Sequence, residues 1–187
     1  MNRFEMLSKI QEDINPRIGV EIGVQHGEYS KSILSKMPDI YLYLVDPYKQ
    51  FPAYEYKDTA NVSHREQEET MKQMQFNLEI YQSRCALIRK TSMDALKEIG
   101  DNSLDFVYID GNHDYSHTLE DITKWMPKLK VGGVMAGHDY INMSSPELLI
   151  QTKMAVDDYT KLHKIMFEKT EEQFASWYFT KEREYDG

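Results

Sequence analysis

The chain has 187 residues, 41% of them hydrophobic, which is enough for one compact domain with a real core and leaves little for a second. Acidic residues outnumber basic ones 31 to 22, a formal charge of −9, and a chain of that sign repels phosphate backbones, so nucleic acid is a disfavoured partner. The single cysteine, Cys85, excludes an internal disulfide and a multi-cysteine metal site. No apolar run approaches the ~20 residues of a membrane span, and the first residues lack the apolar stretch of a signal peptide. A single cytoplasmic domain over residues 1–187 with no membrane partner is expected.

Residues 1–15 contain an amphipathic leading helix, with Phe4, Leu7, Ile10 and Ile14 on one stripe and Pro16 after it. Short apolar runs then alternate with helical patterns. The runs cover 18–24, 40–45, 85–88, 104–109 and 131–136. Between them, Tyr29, Ile33, Leu34 and Met37 form one helical set, and Leu119, Ile122, Trp125, Met126 and Leu129 another. Runs that are apolar throughout imply strands buried on both faces, as in a parallel sheet covered by helices. Residues 146–159 read as a further helix. Two runs follow at 163–168 and 174–180, too close for a crossover helix, so they should pair antiparallel. The prediction is an α/β, Rossmann-like doubly wound sheet of seven strands, five of parallel type plus a C-terminal antiparallel hairpin.

Residues 48–63 form a connector longer than usual, rich in aromatics (Tyr48, Phe51, Tyr54, Tyr56), and lead into a polar helix from about residue 64 to residue 82. The whole 48–82 segment is a candidate cover for a second substrate. Trp177, Tyr178 and Phe179, like the leading helix, are available to a homodimer contact and equally to the core.

Ligands of open α/β sheets bind outside the carboxyl ends of the strands, so the residues closing each run carry the functional reading. The first run ends Glu21-Ile22-Gly23-Val24-Gln25-His26-Gly27. Its glycines permit a tight turn that brings backbone N–H groups to a ligand, and Glu21 favours a cationic ligand over a pyrophosphate. A plain strand-to-helix turn is the competing reading. The second run ends at Asp46, placed to accept hydrogen bonds from ribose hydroxyls or to act as a loop cap. After the third come Thr91, Ser92 and Met93, a helix cap or a weak nucleobase contact.

The fourth run closes on Asp110-Gly111-Asn112-His113-Asp114 and the fifth on Gly137-His138-Asp139-Tyr140. Asp110, His138 and Asp139 are candidate oxygen and nitrogen donors to a divalent cation, against a simple hydrogen-bonded Asp–His pair. His113, just past its strand, suits a general base, against a solvated loop histidine.

On these residues the sequence resembles the class I S-adenosylmethionine-dependent methyltransferases, over about residues 18–180. Residues 20–27, 45–47, 105–113 and 129–134 look like the motifs of that family. The pattern Ile109-Asp110-Gly111-x-His113-x-Tyr115 followed by Gly137-His138-Asp139-Tyr140 is similar to a subgroup containing metal-assisted sugar and small-molecule O-methyltransferases. The resemblance implies S-adenosylmethionine as cofactor, with Glu21, Gly23 and Gly27 framing its methionine portion, Asp46 its ribose, Ser92 and Met93 its adenine, and Asp110 at the reaction centre. It implies methyl transfer to a small-molecule or sugar hydroxyl, with His113 and Asp110 catalytic and Mg or another divalent metal at Asp110, His138 and Asp139. His138-Asp139 stands where metal-dependent members carry an acidic pair. A nicotinamide-dependent oxidoreductase is the rival enzyme, disfavoured by the absence of G-x-G-x-x-G. A non-catalytic S-adenosylmethionine-binding protein is the third reading.

Overall fold

A computed structural model describes residues 1–184. Helix α1 (Arg3–Ile14) opens the chain because Asn2 caps it: its side chain accepts the Phe4 and Glu5 N–H groups at 3.0 and 2.9 Å, and the Glu5 carboxylate accepts the Asn2 N–H at 2.8 Å. The five apolar runs become β1 (Ile18–Ile22), β2 (Tyr41–Val45), β3 (Cys85–Ile88), β4 (Leu104–Ile109) and β5 (Leu129–Gly137), all parallel to one another. Helices α2 (Glu28–Lys36), α3 (His64–Asn77), α4 (Ser92–Ala95) and α5 (Tyr115–Trp125) connect them. A short hairpin, β6 (Met143–Ser144) with β7 (Leu149–Ile150), precedes α6 (Thr152–His163). The chain closes with β8 (Glu168–Lys169) and β9 (Trp177–Thr180). The main sheet has seven strands in the order β3-β2-β1-β4-β5-β9-β8, with β9 antiparallel to both β5 and β8, as the sequence predicts.

Several boundaries differ from expectation: α3 ends at Asn77 where the polar helix is expected to run to about residue 82, and β9 begins at Trp177 where the run begins at 174. Residues 146–150 are not helical: the Ser145 hydroxyl accepts the Glu147 and Leu148 N–H groups at 3.3 and 3.1 Å, and the resulting turn pairs β6 with β7. The first strand of the terminal hairpin is also shorter than 163–168. Helix α6 continues to His163, Lys164 ends it in the left-handed region (φ 56°), and pairing is confined to β8.

The sheet divides the core into two layers. Met6, Leu7 and Ile10 of α1, Ile33 and Leu34 of α2 and Met74 of α3 pack on one face with Leu42, Leu44, Phe106 and Tyr108. Ala95, Ile122, Trp125, Val156 and Tyr159 from α4, α5 and α6 pack on the other with Val20, Val107, Met135, Trp177 and Phe179. The 177–179 aromatics are therefore core residues, at most 6% exposed, and a dimer contact would have to use others. No helix among the described residues is long and apolar enough to cross a membrane.

Candidate active site

The order β3-β2-β1-β4-β5 lines up the carboxyl ends of the parallel strands along one edge of the sheet, and each motif falls on that edge. The β1–α2 turn is set by two left-handed glycines, Gly23 (φ 83°) and Gly27 (φ 74°), the second serving as the N-cap position of α2. Gly23 is sterically obligatory: a Cβ there would stand 1.9 Å from the Asp110 carbonyl oxygen. The same packing draws the β1 turn against the end of β4, where the Asp110 N–H donates to the Ile22 carbonyl at 2.7 Å. Asp46 binds the turn from the other side. Its Oδ2 accepts the Val24 and Gln25 N–H groups at 3.0 and 3.1 Å, and its Oδ1 accepts the Tyr48 N–H at 2.8 Å. A carboxylate offers about four acceptor positions, so room remains on Asp46 for a ligand hydroxyl.

Glu21 is placed otherwise than at a ligand surface. It is buried, receives a hydrogen bond from the Ser30 hydroxyl of α2, and is pushed well above the usual carboxylate range by burial, with Asp110 and Asp46 adding to the shift. Its visible role is to fasten α2 to β1. Ser92 likewise turns inward: its hydroxyl donates to Asp121 of α5 and accepts from Trp125 Nε1 at 2.8 Å. Met93 packs against the second core layer.

The ends of β4 and β5 hold the densest chemistry. His113 Nε2 lies 3.2 Å from Asp110 Oδ1 and 3.1 Å from Asp139 Oδ2, while Nδ1 lies 3.1 Å from Asp58 Oδ2. Burial alone would lower the imidazole pKa. The hydrogen bonds to Asp110 and Asp58, with the charges of Asp110 and Asp139, outweigh it and raise His113 to about 10. His138 Nδ1 is 3.1 Å from Asp139 Oδ1 and 3.8 Å from Asp110 Oδ1. Its pKa is also raised, the bond to Asp139 and both acids overcoming desolvation. Burial would raise the Asp139 carboxyl, but His138 and His113 hold it below the ordinary value. Asp139 sits at φ 53°, a left-handed conformation uncommon outside glycine and concentrated at functional sites.

Asp110, His113 and Asp139 each present a ligand atom within 4.8 Å of the others. The gathered trio thus carries His113 where the sequence suggested His138, which stands alongside. Oxygen and imidazole donors fit a divalent cation. The same acidic edge, with Asp46 and Asp110 flanking the glycine turn, fits a cofactor whose sulfonium and ammonium are both cationic.

Two residues of the site were not singled out in the sequence. Asp58 reaches His113 from the 48–63 connector. Asp121 is an acid on the buried stripe of α5 with Thr118, Ile122 and Trp125, and that spacing was its only signal.

A parallel sheet with a glycine turn after β1, an acid ending β2 and an antiparallel β9 inserted beside β5 is the architecture of class I S-adenosylmethionine-dependent methyltransferases. A family model described as a methyltransferase domain matches residues 20–140, and the chain belongs to that family. An O-methyltransferase from Bacillus cereus in complex with SAH superposes with a TM-score of 0.66 at 12% identity, over 96% of this chain and 80% of that one. An O-methyltransferase family protein from Burkholderia thailandensis gives 0.66 at 11%, over 95% and 55%. An rRNA methylase from Streptococcus thermophilus gives 0.64 at 15%, over 96% and 94%. At these identities the likeness is one of fold. An uncharacterized protein of Sinorhizobium fredii (strain NBRC 101917 / NGR234) is 42% identical over 53 residues, which is 28% of this chain and 6% of that protein's length.

Proposed function

We propose that the chain transfers the methyl group of S-adenosylmethionine to a hydroxyl oxygen of a small molecule or sugar. The observation that carries this reading is the position of His113, with Nε2 between Asp110 and Asp139 at the strand ends beside the glycine turn. Asp46 would hold the ribose hydroxyls, and the acidic edge would draw the sulfonium toward Asp110. The acceptor oxygen bonds to the methyl carbon as the carbon–sulfur bond breaks, its electron pair passing to sulfur. The acceptor proton goes to Nε2 of the neutral His113 ring, Nδ1 keeping its own proton against Asp58. Since the neighbouring acids hold the ring protonated up to about pH 10, the ring must first lose its Nε2 proton. Methyl donors of this kind are already activated, so the protein contributes alignment and proton removal.

A divalent cation, Mg or another, would be held by Asp110 and Asp139 with His138 as the nitrogen donor. When bound, such an ion lowers the pKa of an acceptor hydroxyl. Such a charge would also oppose the field of the acids that keeps His113 protonated.

The test is incubation with methyl-labelled S-adenosylmethionine and a panel of sugars and catechols, with and without Mg. Labelled ether product is expected, and His113→Gln should lower its rate ~10²–10⁴-fold without weakening Mg binding. Loss of Mg binding in that variant would make His113 a metal donor instead of the base. Thermal stabilisation by NAD and none by S-adenosylhomocysteine would overturn the cofactor assignment. Binding of S-adenosylhomocysteine with no transfer to any acceptor would favour the non-catalytic alternative.

A further inference from the structure

Residues 46–63 contain no helix or strand, yet the connector is tied down at several points. Asn61 clips it into a compact loop: its Oδ1 accepts the Phe51 N–H at 2.9 Å, and its Nδ2 donates to the Phe51 and Tyr56 carbonyls at 2.9 and 2.8 Å. Gln67 of α3 donates to the Ala60 carbonyl at 2.8 Å. On the side of the reaction centre, Asn112 Nδ2 donates to the Glu55 carbonyl at 3.3 Å and the Leu149 N–H to the Lys57 carbonyl at 3.0 Å. These contacts deliver Asp58 to His113.

The Asp58 side chain is 9% exposed and that of His113 14%. Both carboxylate oxygens of Asp58 are committed. Oδ1 accepts the Ala60 N–H at 2.8 Å, which fixes the rotamer, and Oδ2 meets His113 Nδ1 at 3.1 Å. A carboxylate on Nδ1 fixes both the ring plane of an imidazole and the direction of Nε2. Here Nε2 is directed at Asp110 and Asp139. Of the three acids that meet the ring, Asp58 alone comes from outside the strand ends. It therefore joins the ring to a segment that lies outside the sheet.

We propose that Asp58 is the positioning residue for His113, so that closure of the 46–63 connector over the acceptor site and orientation of the His113 ring are one event. The proposal rests on the assignment of His113 as the proton acceptor. Its chemical sense is protection of the donor: the ring is aligned only when the connector has excluded bulk water, so an open site does not activate water toward the sulfonium. Asp58 acts through His113 and touches no reacting atom.

The test uses the full chain labelled with ¹⁵N-histidine, in three variants: Asp58→Ala, His113→Gln and, as a control in the same loop, Tyr54→Ala, whose ring is 85% exposed. The wild-type chain should show a slowly exchanging imidazole N–H proton at His113 Nδ1. It should vanish in Asp58→Ala and persist in Tyr54→Ala. Hydrogen exchange of the amides at 53–61, Ala60 excepted because its N–H loses its Asp58 acceptor directly, should quicken about tenfold or more in Asp58→Ala and likewise in His113→Gln, since a charge-assisted hydrogen bond is worth ~1.5–3 kcal/mol. The double variant should exchange no faster than Asp58→Ala, because the contact that His113→Gln removes from the connector is already gone there. S-adenosylhomocysteine affinity should stay within about twofold, which shows that the cofactor crevice is intact. A His113 Nδ1 proton that survives in Asp58→Ala, or 53–61 protection that His113→Gln leaves unchanged, overturns the proposal. Both readouts are independent of turnover. If they behave as expected while His113→Gln keeps full methyl transfer, the latch stands and the assignment of His113 as proton acceptor fails.

Discussion

Gly23 shows how far a single residue can fix the site. Its φ of 83° and the 1.9 Å that would separate a Cβ there from the Asp110 carbonyl oxygen leave no side chain admissible. Gly23→Ala is expected to cost at least ~2–3 kcal/mol and to abolish binding of S-adenosylhomocysteine, since relief of the clash must part the β1 turn from β4. Thermal melts with and without that ligand check both effects. Asp121 makes a different prediction. Burial is the main cause that pushes its carboxyl from an ordinary 3.8 to about 7, against the opposing bond from Ser92 and the field of His117, with Glu120 and Asp114 reinforcing the rise. The folded state therefore keeps a proton that the unfolded chain gives up near pH 4. The stability this contributes is fully present below that pH and is lost as pH rises through about 7. The upper bound on the loss is ~4 kcal/mol, at ~1.4 kcal/mol for each pH unit over which the two states differ by one proton. Asp121→Asn can still accept from Ser92 and does not titrate. Melting temperatures from pH 5 to pH 8 should fall more steeply in the wild-type chain than in this variant, and parallel curves would refute the assignment.

At the scale of elements, what the sequence made legible follows from locality. The strands announced themselves because each is a short apolar run, and the acids and glycines closing them lie within a few residues of the run. Asp58 within the connector did not, since its delivery to His113 depends on the Asn61 clip, a side-chain contact, and on the Lys57–Leu149 contact, a pairing distant in sequence. Residues 146–150 carried apolar residues at helical spacing, but spacing is silent about the Ser145 side chain that diverts the backbone into a turn. Ser92 was legible as a residue at the end of β3 and not in its direction, because its partners Asp121 and Trp125 come from α5. The leading helix illustrates the opposite case, where the boundary is written locally. Asn2 and Glu5 satisfy each other's backbone N–H groups in a capping box. Asn2→Ala should cost ~1 kcal/mol, a fall of roughly 2–4 °C in a chain of this length. Because α1 packs through Met6, Leu7 and Ile10 on the face opposite α5, the variant should leave the pH dependence attributed to Asp121 unchanged.

The whole molecule bears on the choice of acceptor, which the fold leaves open. A chain with the same outline is described as an rRNA methylase, and others as O-methyltransferases, at comparable TM-scores; one architecture therefore serves acceptors of opposite electrostatic demand. Charge separates them. An RNA substrate is held largely through its phosphates, and each phosphate neutralised releases counterions, so affinity falls steeply with salt. This chain has 31 acidic residues against 22 basic ones, and the carboxylates of Asp46, Asp58, Asp110 and Asp139 converge where an acceptor would enter. Bringing a polyanion to that edge sets charge against like charge in a partly desolvated crevice, whereas a neutral hydroxyl compound incurs no such repulsion. Fluorescence polarisation with a labelled single-stranded RNA at about 50 mM salt is expected to show no binding in the micromolar range, where a nucleic-acid-binding protein is already associated. Association at that concentration, weakening steeply by about 200 mM salt, would reveal a basic surface that the net charge conceals and would favour a nucleic acid over the proposed small hydroxyl compound as acceptor.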